Sequence, residues 1–318
     1  MGQILSEIDV SVVIVNYNCF ELLDECLKSL FEKTSKVKLQ VIVVDNASAE
    51  GDVKLITNKY KSVETIVNEK NIGFAAANNL GLNRAKGKYT LFLNNDIVFL
   101  EKSINTVFEF AEKSKENIFV GIQLLNSDLS KQESVVEFPS LWNTITENSF
   151  LYKVFPKSKF FNKYYQNNLI KDEPIEVDVI RGAFMFCSTI ALKNLDGFDD
   201  RFYFYSEETD LCHRFRKTGG KIYFLPYSKI IHLGGAAADK NLWFKFRNQT
   251  TGKIQYYQKY FYGIKFILVL IIHWQGLFFR SLVYSIVGIL TINKSFLLKG
   301  YYFLKQILVY PSNQFAQK

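Results

Sequence analysis

Cysteine is scarce in this 318-residue chain, and Cys19, Cys26, Cys187 and Cys212 are all it contains. They show no CxxC spacing, which excludes a disulfide framework and a cysteine-built metal centre and leaves reduced, packed thiols. Long runs of one charge are also missing. Lysines and arginines are scattered among acids, so the net charge of +8 is not gathered into a nucleic-acid patch, and no nucleic acid partner is expected. An anionic lipid surface or a phosphate-bearing substrate explains the excess equally well. The first residues, MGQILSEIDV, lack a basic region followed by an apolar core, so no signal peptide and a cytoplasmic location are expected. Nor does an uncharged run reach the ~20 residues of a bilayer span. Phe266–Phe279 and Ser281–Asn293 fall short on either side of Arg280, with His273 and Gln275 where a span is costly. Two in-plane amphipathic helices, with Lys294, Lys299 and Lys305 nearby, suit peripheral attachment to the inner-membrane surface. A buried helical pair or a dimer interface is the alternative.

What is present describes an α/β protein. Hydrophobic residues make up 48 % and aromatics 16 %, and the length fits one α/β domain with substantial additions. Short apolar runs at Val10–Val15, Leu39–Val44 and Val63–Val67 read as buried strands, and within Tyr89–Leu100 so does the run from Tyr89, which stops abruptly at Asn94-Asn95-Asp96. Helical periodicity fills the gaps at Phe20–Lys33, about 51–60 and up to Ala85. Strands alternating with helices predict a doubly wound, mostly parallel, Rossmann-like sheet. Asn16, Asp45 and the Asn94-Asn95-Asp96 run each follow a strand, and ligands collect beyond the carboxyl ends of parallel strands. Two amides and a carboxylate offer oxygens for a hard cation and its phosphates.

Further on, Lys102–Ser114 reads as an exposed helix and Ile118–Leu125 as a strand. Residues 126–174 read as a long irregular insertion, with mixed aromatic and basic character in FLYKVFPKSKFFNKYYQNN. Arg181 to Cys187 reads as a strand entered through Gly182. Ser206 reads as an N-cap, followed by Glu207, Glu208 and Asp210 in a first turn where the helix dipole favours acids. Three carboxylates exceed what capping requires; Asp210 is also placed to hold Arg214 one turn along.

In order, VVIVNYN at 12–18, VVDNAS at 43–48, Asn71-Ile72-Gly73-Phe74-Ala75 with Asn78, and Leu93-Asn94-Asn95-Asp96 resemble family 2 glycosyltransferases of the GT-A fold. The nearest likeness is to the rhamnosyltransferase-like branch that builds bacterial surface polysaccharide. The resemblance covers about residues 9–250, leaving 251–318 as a helical tail. It implies a nucleotide pocket from Asn16, Tyr17, Asp45, Asn71, Gly73, Asn78 and Asn95, with Gly73 allowing backbone to approach the ligand. It implies a Mg²⁺ or Mn²⁺ held by Asp96, His232 and Asn94, the last replacing an acid and leaving the site one charge poorer. Arg181, Gly182 and Ala183 fall near the donor sugar, and Trp243 and Arg247 on a flexible active-site loop. Glu208 becomes the general base, with Asp210 and Glu207 as the other choices. The implied reaction is inverting transfer from a nucleotide-sugar donor, dTDP-rhamnose or a UDP-sugar, to a glycan or lipid-linked acceptor. A nucleotidyltransferase, or a non-catalytic glycan- or nucleotide-binding protein on the same fold, is the alternative.

Overall fold

The computed structural model describes residues 7–162, 172–234 and 241–313. Gly235 and residues 163–171 of the aromatic insertion lie outside the described residues. The chain divides into two compact units, one of Met1–Phe138 with Gln166–Lys240 and one of Pro139–Tyr165 with Asn241–Lys318. Residues 139–165 therefore group with the C-terminal helices, and the break falls at 240 rather than 250.

In chain order the elements are β1 (Val10–Asn16), α1 (Phe20–Lys33), β2 (Leu39–Asp45), α2 (Val53–Lys59), β3 (Val63–Val67), α3 (Phe74–Arg84), β4 (Tyr89–Asn94), β5 (Ile97–Phe99), α4 (Ser103–Lys113), β6 (Ile118–Leu125) and β7 (Val135–Val136). Helices α5 (Leu141–Asn148) and α6 (Leu151–Val154) belong to the second unit. The first unit resumes with β8 (Ile175–Glu176), β9 (Val179–Ile180), β10 (Phe184–Ser188), α7 (Thr189–Asn194), α8 (Glu207–Lys217) and β11 (Lys221–His232). The second closes with α9 (Leu242–Tyr260), α10 (Ile264–Leu290) and α11 (Lys294–Asn313).

The main sheet runs β3-β2-β1-β4-β10-β6-β11-β5, with β8 beside β11. Strands β1 to β4 pair in parallel; β1, β2 and β4 are apolar and buried along nearly their whole length, as central parallel strands are, and β3 lies at the edge. β10 enters antiparallel between β4 and β6, in the middle of the sheet, and mixed sheets of this size are common. β4 stops at Asn94, and β5 turns away to pair antiparallel with β11. Two expectations are corrected. The insertion is ordered into β7, α5 and α6 where side-chain periodicity is weak, with Ser140 capping α5 through the Asn143 N–H. The tail is not broken at Arg280, because α10 is one continuous helix of 27 residues; a single arginine interrupts hydropathy but not helical hydrogen bonding.

Helix α3 lies tight on the sheet. A Cβ at Gly81 would meet Val13 Cγ1 at 2.2 Å, and the fully buried, β-branched Val13 cannot turn aside. Gly81→Ala is therefore expected to lower unfolding stability by about 1–3 kcal/mol, read by urea denaturation.

Candidate functional site

Parallel register places Asn16 opposite Asp45, and Val15 opposite Asn94, so three strand ends share one rim. There Asp45 is buried and fixed. Its Oδ1 accepts from Ser48 Oγ at 2.5 Å and Asn16 Nδ2 at 3.2 Å, and its Oδ2 from the Ser48 N–H at 3.2 Å. Asn95 Nδ2 donates to Asn16 Oδ1 at 2.9 Å, extending the chain to β4. Tyr17, 40 % exposed, stands at the mouth. Asn46 clamps the next loop, donating to Asn71 Oδ1 and Gly73 O while accepting from the Ile72 N–H.

Asp96 and His232 meet because β5 carries the chain straight back along β11, with Ile97 paired to His232. His232 Nε2 lies 3.4 Å from Asp96 Oδ1 and 3.3 Å from Asn94 Nδ2. Its Nδ1 donates to Gln132 Oε1 at 2.6 Å. Gln132 is oriented in turn, its Nε2 donating to Asn126 Oδ1 at 3.0 Å. This fixes the tautomer and leaves Nε2 as a lone-pair donor. Asp96 Oδ1 and Asn94 Oδ1 are buried oxygens with no hydrogen-bond partner. Buried acceptors are almost always satisfied, so the open carboxylate and amide oxygens fit a divalent cation, beside an imidazole whose Nε2 lone pair accepts from Asn94 Nδ2 and could turn to an ion instead. Among the described residues no three His, Cys, Asp or Glu gather to hold a metal alone, which suits an ion completed by substrate phosphates and water.

The third part lies beyond β10. Arg181 pairs with Glu133, and its Nη1 lies 3.5 Å from Glu208 Oε1. Gly182 abuts Glu208, where an added Cβ would come to 3.7 Å from the glutamate's own. Ala183 O accepts from the Asn94 N–H at 3.1 Å. Arg181-Gly182-Ala183 thus runs from the carboxylate of α8 to the strand end carrying Asn94 and Asp96. Residues 11–186 match the model of glycosyl transferase family 2.

The chain belongs to glycosyl transferase family 2. It is 25 % identical over 234 residues, 70 % of this chain and 75 % of the relative, to an N-acetylglucosaminyl-diphospho-decaprenol L-rhamnosyltransferase of Mycobacterium tuberculosis. It is 26 % identical over 232 residues to the rhamnosyltransferase WbbL of Escherichia coli, covering 70 % of this chain and 83 % of that one. An uncharacterized glycosyltransferase of Rickettsia conorii is 33 % identical over 120 residues, 37 % of this chain, which spans only 19 % of that protein's length. Among solved structures, the mannosyltransferase PcManGT from Pyrobaculum calidifontis, in complex with GDP-Man and Mn²⁺, superposes with a TM-score of 0.57 at 15 % identity over 96 % of this chain and 87 % of that one. The fold is the GT-A type of this family's structural neighbours.

The three acids of α8 have separate fates. Asp210 is fully buried on Arg214 Nε at 2.7 Å, and Arg214 also binds Leu195 O and Gly197 O. It anchors the 195–197 turn. Glu207 is buried with Oε2 unpartnered, and burial, then neighbouring Glu208, pushes its pKa well above the ordinary range. A protonated Glu207 spares Glu208 a like charge alongside. Ser206 does not cap the helix through its side chain: Tyr205 and Ser206 both sit at positive φ, 72° and 73°. Consecutive non-glycine residues in that region store strain where α8 presents its acids.

The space beside Gly73 is occupied by Tyr203, whose carbonyl would lie 2.7 Å from an added Cβ. The glycine, at φ 91°, therefore admits close packing of the 203 loop as well. One further expectation changes: Trp243 and Arg247 lie in helix α9 of the second unit and not on a loop; Trp243 packs on Tyr302 beneath Lys305. Asn78 is buried in α3, donating to Phe74 O. Gln132 and Glu133 escaped the sequence reading, since neither lies in a patterned segment; only their folding beside His232 and Arg181 reveals them.

Asp210→Asn is expected to cost about 3 kcal/mol through a broken buried pair, with Glu208→Gln near neutral, in urea unfolding. Glu207, with its folded pKa raised, binds more protons folded than unfolded above about pH 4.5. Its contribution is present below that pH and is lost as pH rises through the folded value. Glu207→Gln should flatten that decline in Tm against pH.

Proposed function

We propose that this chain is an inverting, divalent-metal-assisted glycosyltransferase that moves a sugar from a nucleotide diphosphate donor to a hydroxyl of a glycan or lipid-linked acceptor at the cytoplasmic face of the inner membrane. The observation that carries the reading is the continuous path from Asp96 and Asn94 through Ala183 and Gly182 to Glu208. A cation-phosphate site and a carboxylate stand at the two ends of one short backbone segment, as displacement at a sugar carbon between them requires. The family model and two rhamnosyltransferase relatives support it, as does a neighbour of the same fold bound to GDP-Man and Mn²⁺. Rhamnose from dTDP-rhamnose is the favoured donor sugar on the strength of those relatives, with a UDP-sugar second.

Asp96, His232 and Asn94 would hold a Mg²⁺ or Mn²⁺, which when bound neutralises the diphosphate as it leaves. Gln132 keeps His232 in the tautomer that can donate its Nε2 lone pair. Asp45, locked by Ser48 and Asn16, offers a fixed acceptor to the nucleobase, and exposed Tyr17 a face for it to stack on. Glu208 accepts the proton of the acceptor hydroxyl as its oxygen bonds to the anomeric carbon, and the electron pair of the broken C–O bond departs with the diphosphate. No enzyme nucleophile is needed for inversion. A nucleotidyltransferase would want a Gly- and Arg-rich triphosphate loop after β1, where Asn16-Tyr17-Asn18 stands.

Glu208→Gln is expected to retain nucleotide-sugar binding by calorimetry and to lose about 10²–10⁴-fold in kcat, the usual contribution of a general base. Asp96→Asn should abolish the Mn²⁺-dependent part of thermal stabilisation by the donor's nucleoside diphosphate. Near-normal turnover in the Glu208 variant would remove it as the base.

A further inference from the structure

Charge is divided between the two units in a way the whole-chain total conceals. Pro139–Tyr165 with Asn241–Lys318 holds fourteen Lys or Arg and a single acid, Glu147, a net of +13. The remainder therefore carries −5 of the chain's +8. Residues 241–318 contain no Asp or Glu at all.

Helix α10, in that basic unit, is inside out. A soluble amphipathic helix buries its apolar stripe and exposes its polar one. Here Ile264, Ile271, Phe278, Leu282, Ile286 and Ile289 are exposed at helical spacing, each 46 % or more. The buried stripe contains His273, Gly276, Ser281 and Gly288. Arg280, on the same side, donates to Asn148 Oδ1 and Glu147 O of α5. Burial pushes Glu147 up, but Lys253 and Arg280 outweigh it and hold its carboxyl below the ordinary range.

The helices meet through small residues. A Cβ at Gly276 would strike Asn148 Oδ1, one at Gly288 would lie 2.8 Å from Leu297, and one at Gly300 would lie 3.1 Å from Ser281 O. Ser281 Oγ donates to Gly300 O at 2.8 Å. Close backbone approach at glycine and serine, with apolar side chains turned outward, is how helices pack when lipid is the solvent. Exposed Leu297, Leu298 and Leu304 continue the apolar surface on α11.

We infer that the outer faces of α10 and α11 form a lipid-docking surface that lies in the plane of an anionic leaflet. With a mean hydropathy of 1.8, α10 is long and apolar enough to cross a bilayer by length and composition, about 40 Å at 1.5 Å per residue. Its inner face argues against crossing. Midway along α10, Arg280 is bound to α5, where Glu147 pairs with Lys253 Nζ at 2.5 Å, and a transverse α10 would carry that ion pair into hydrocarbon. Laid flat, α10 gives its whole apolar stripe to lipid, keeps α5 and α9 on the water side, and brings a unit of net charge +13 to acidic headgroups. The bilayer is preferred over a second copy of the chain because two such units would repel at +13 each, whereas an anionic leaflet attracts both.

The inference stands apart from sugar transfer, since its test needs no donor. Detergent-free protein should float with vesicles containing phosphatidylglycerol and bind pure phosphatidylcholine at least tenfold less. Ile271→Glu with Phe278→Glu and Leu282→Glu, all at exposed positions, should cut flotation at least tenfold while leaving circular dichroism and nucleotide binding unchanged. In inside-out membrane vesicles from expressing cells, Tyr262→Cys and Thr291→Cys should both react with an impermeant maleimide; the four native cysteines are buried. Protein that ignores both vesicle types, or a triple variant that floats normally, would overturn the inference. So would a stripe variant that only dissolves a dimer in light scattering, and protection of one labelled end would overturn the in-plane orientation.

Discussion

The hydrogen bond from the Asn94 N–H to Ala183 O is where the first unit is joined into one site. It exists because β10 runs antiparallel into a gap between β4 and β6, so the residues entering β10 lie beside the carboxyl end of β4. Had β10 run parallel, Arg181, Gly182 and Ala183 would sit at the opposite edge of the sheet. One strand direction thus decides that the acids of α8 share a neighbourhood with Asp96 and His232.

Environment, more than residue type, sorts the polar groups of that neighbourhood. Asp210 and Asp45 are both buried carboxylates, yet one is spent on Arg214 and the other on Ser48 and Asn16. Glu207 keeps Oε2 unpartnered in a buried site and is driven toward its neutral form, while Glu208 faces Arg181. Asp96 keeps an oxygen unsatisfied beside an imidazole whose tautomer Gln132 imposes. Equivalent acids are thereby pushed into different states by their surroundings.

The two units divide the solvents as well as the sequence. The first has the acid surplus and the polar rim suited to a hydrated, phosphorylated donor. The second concentrates the positive charge and turns its apolar side chains outward, the arrangement expected of a surface that meets lipid.

The parallel half of the fold was readable from the chain because buried parallel strands must be apolar along their length and end abruptly at polar residues. Asn16, Asp45 and Asn94 therefore declared their common rim through position alone. The pairing of β5 with β11 and the antiparallel entry of β10 left no such mark, since each depends on pairing between segments far apart in sequence. Gln132 and Glu133 were invisible for the same reason, and Asp210 could be told from Glu208 only by its partner. Local pattern fixes where a strand or helix stops and what it carries there. Which ends meet, which carboxylate keeps a free oxygen and which face of a helix is left to the solvent are settled only when the elements pack, because those outcomes are properties of contacts and not of residues.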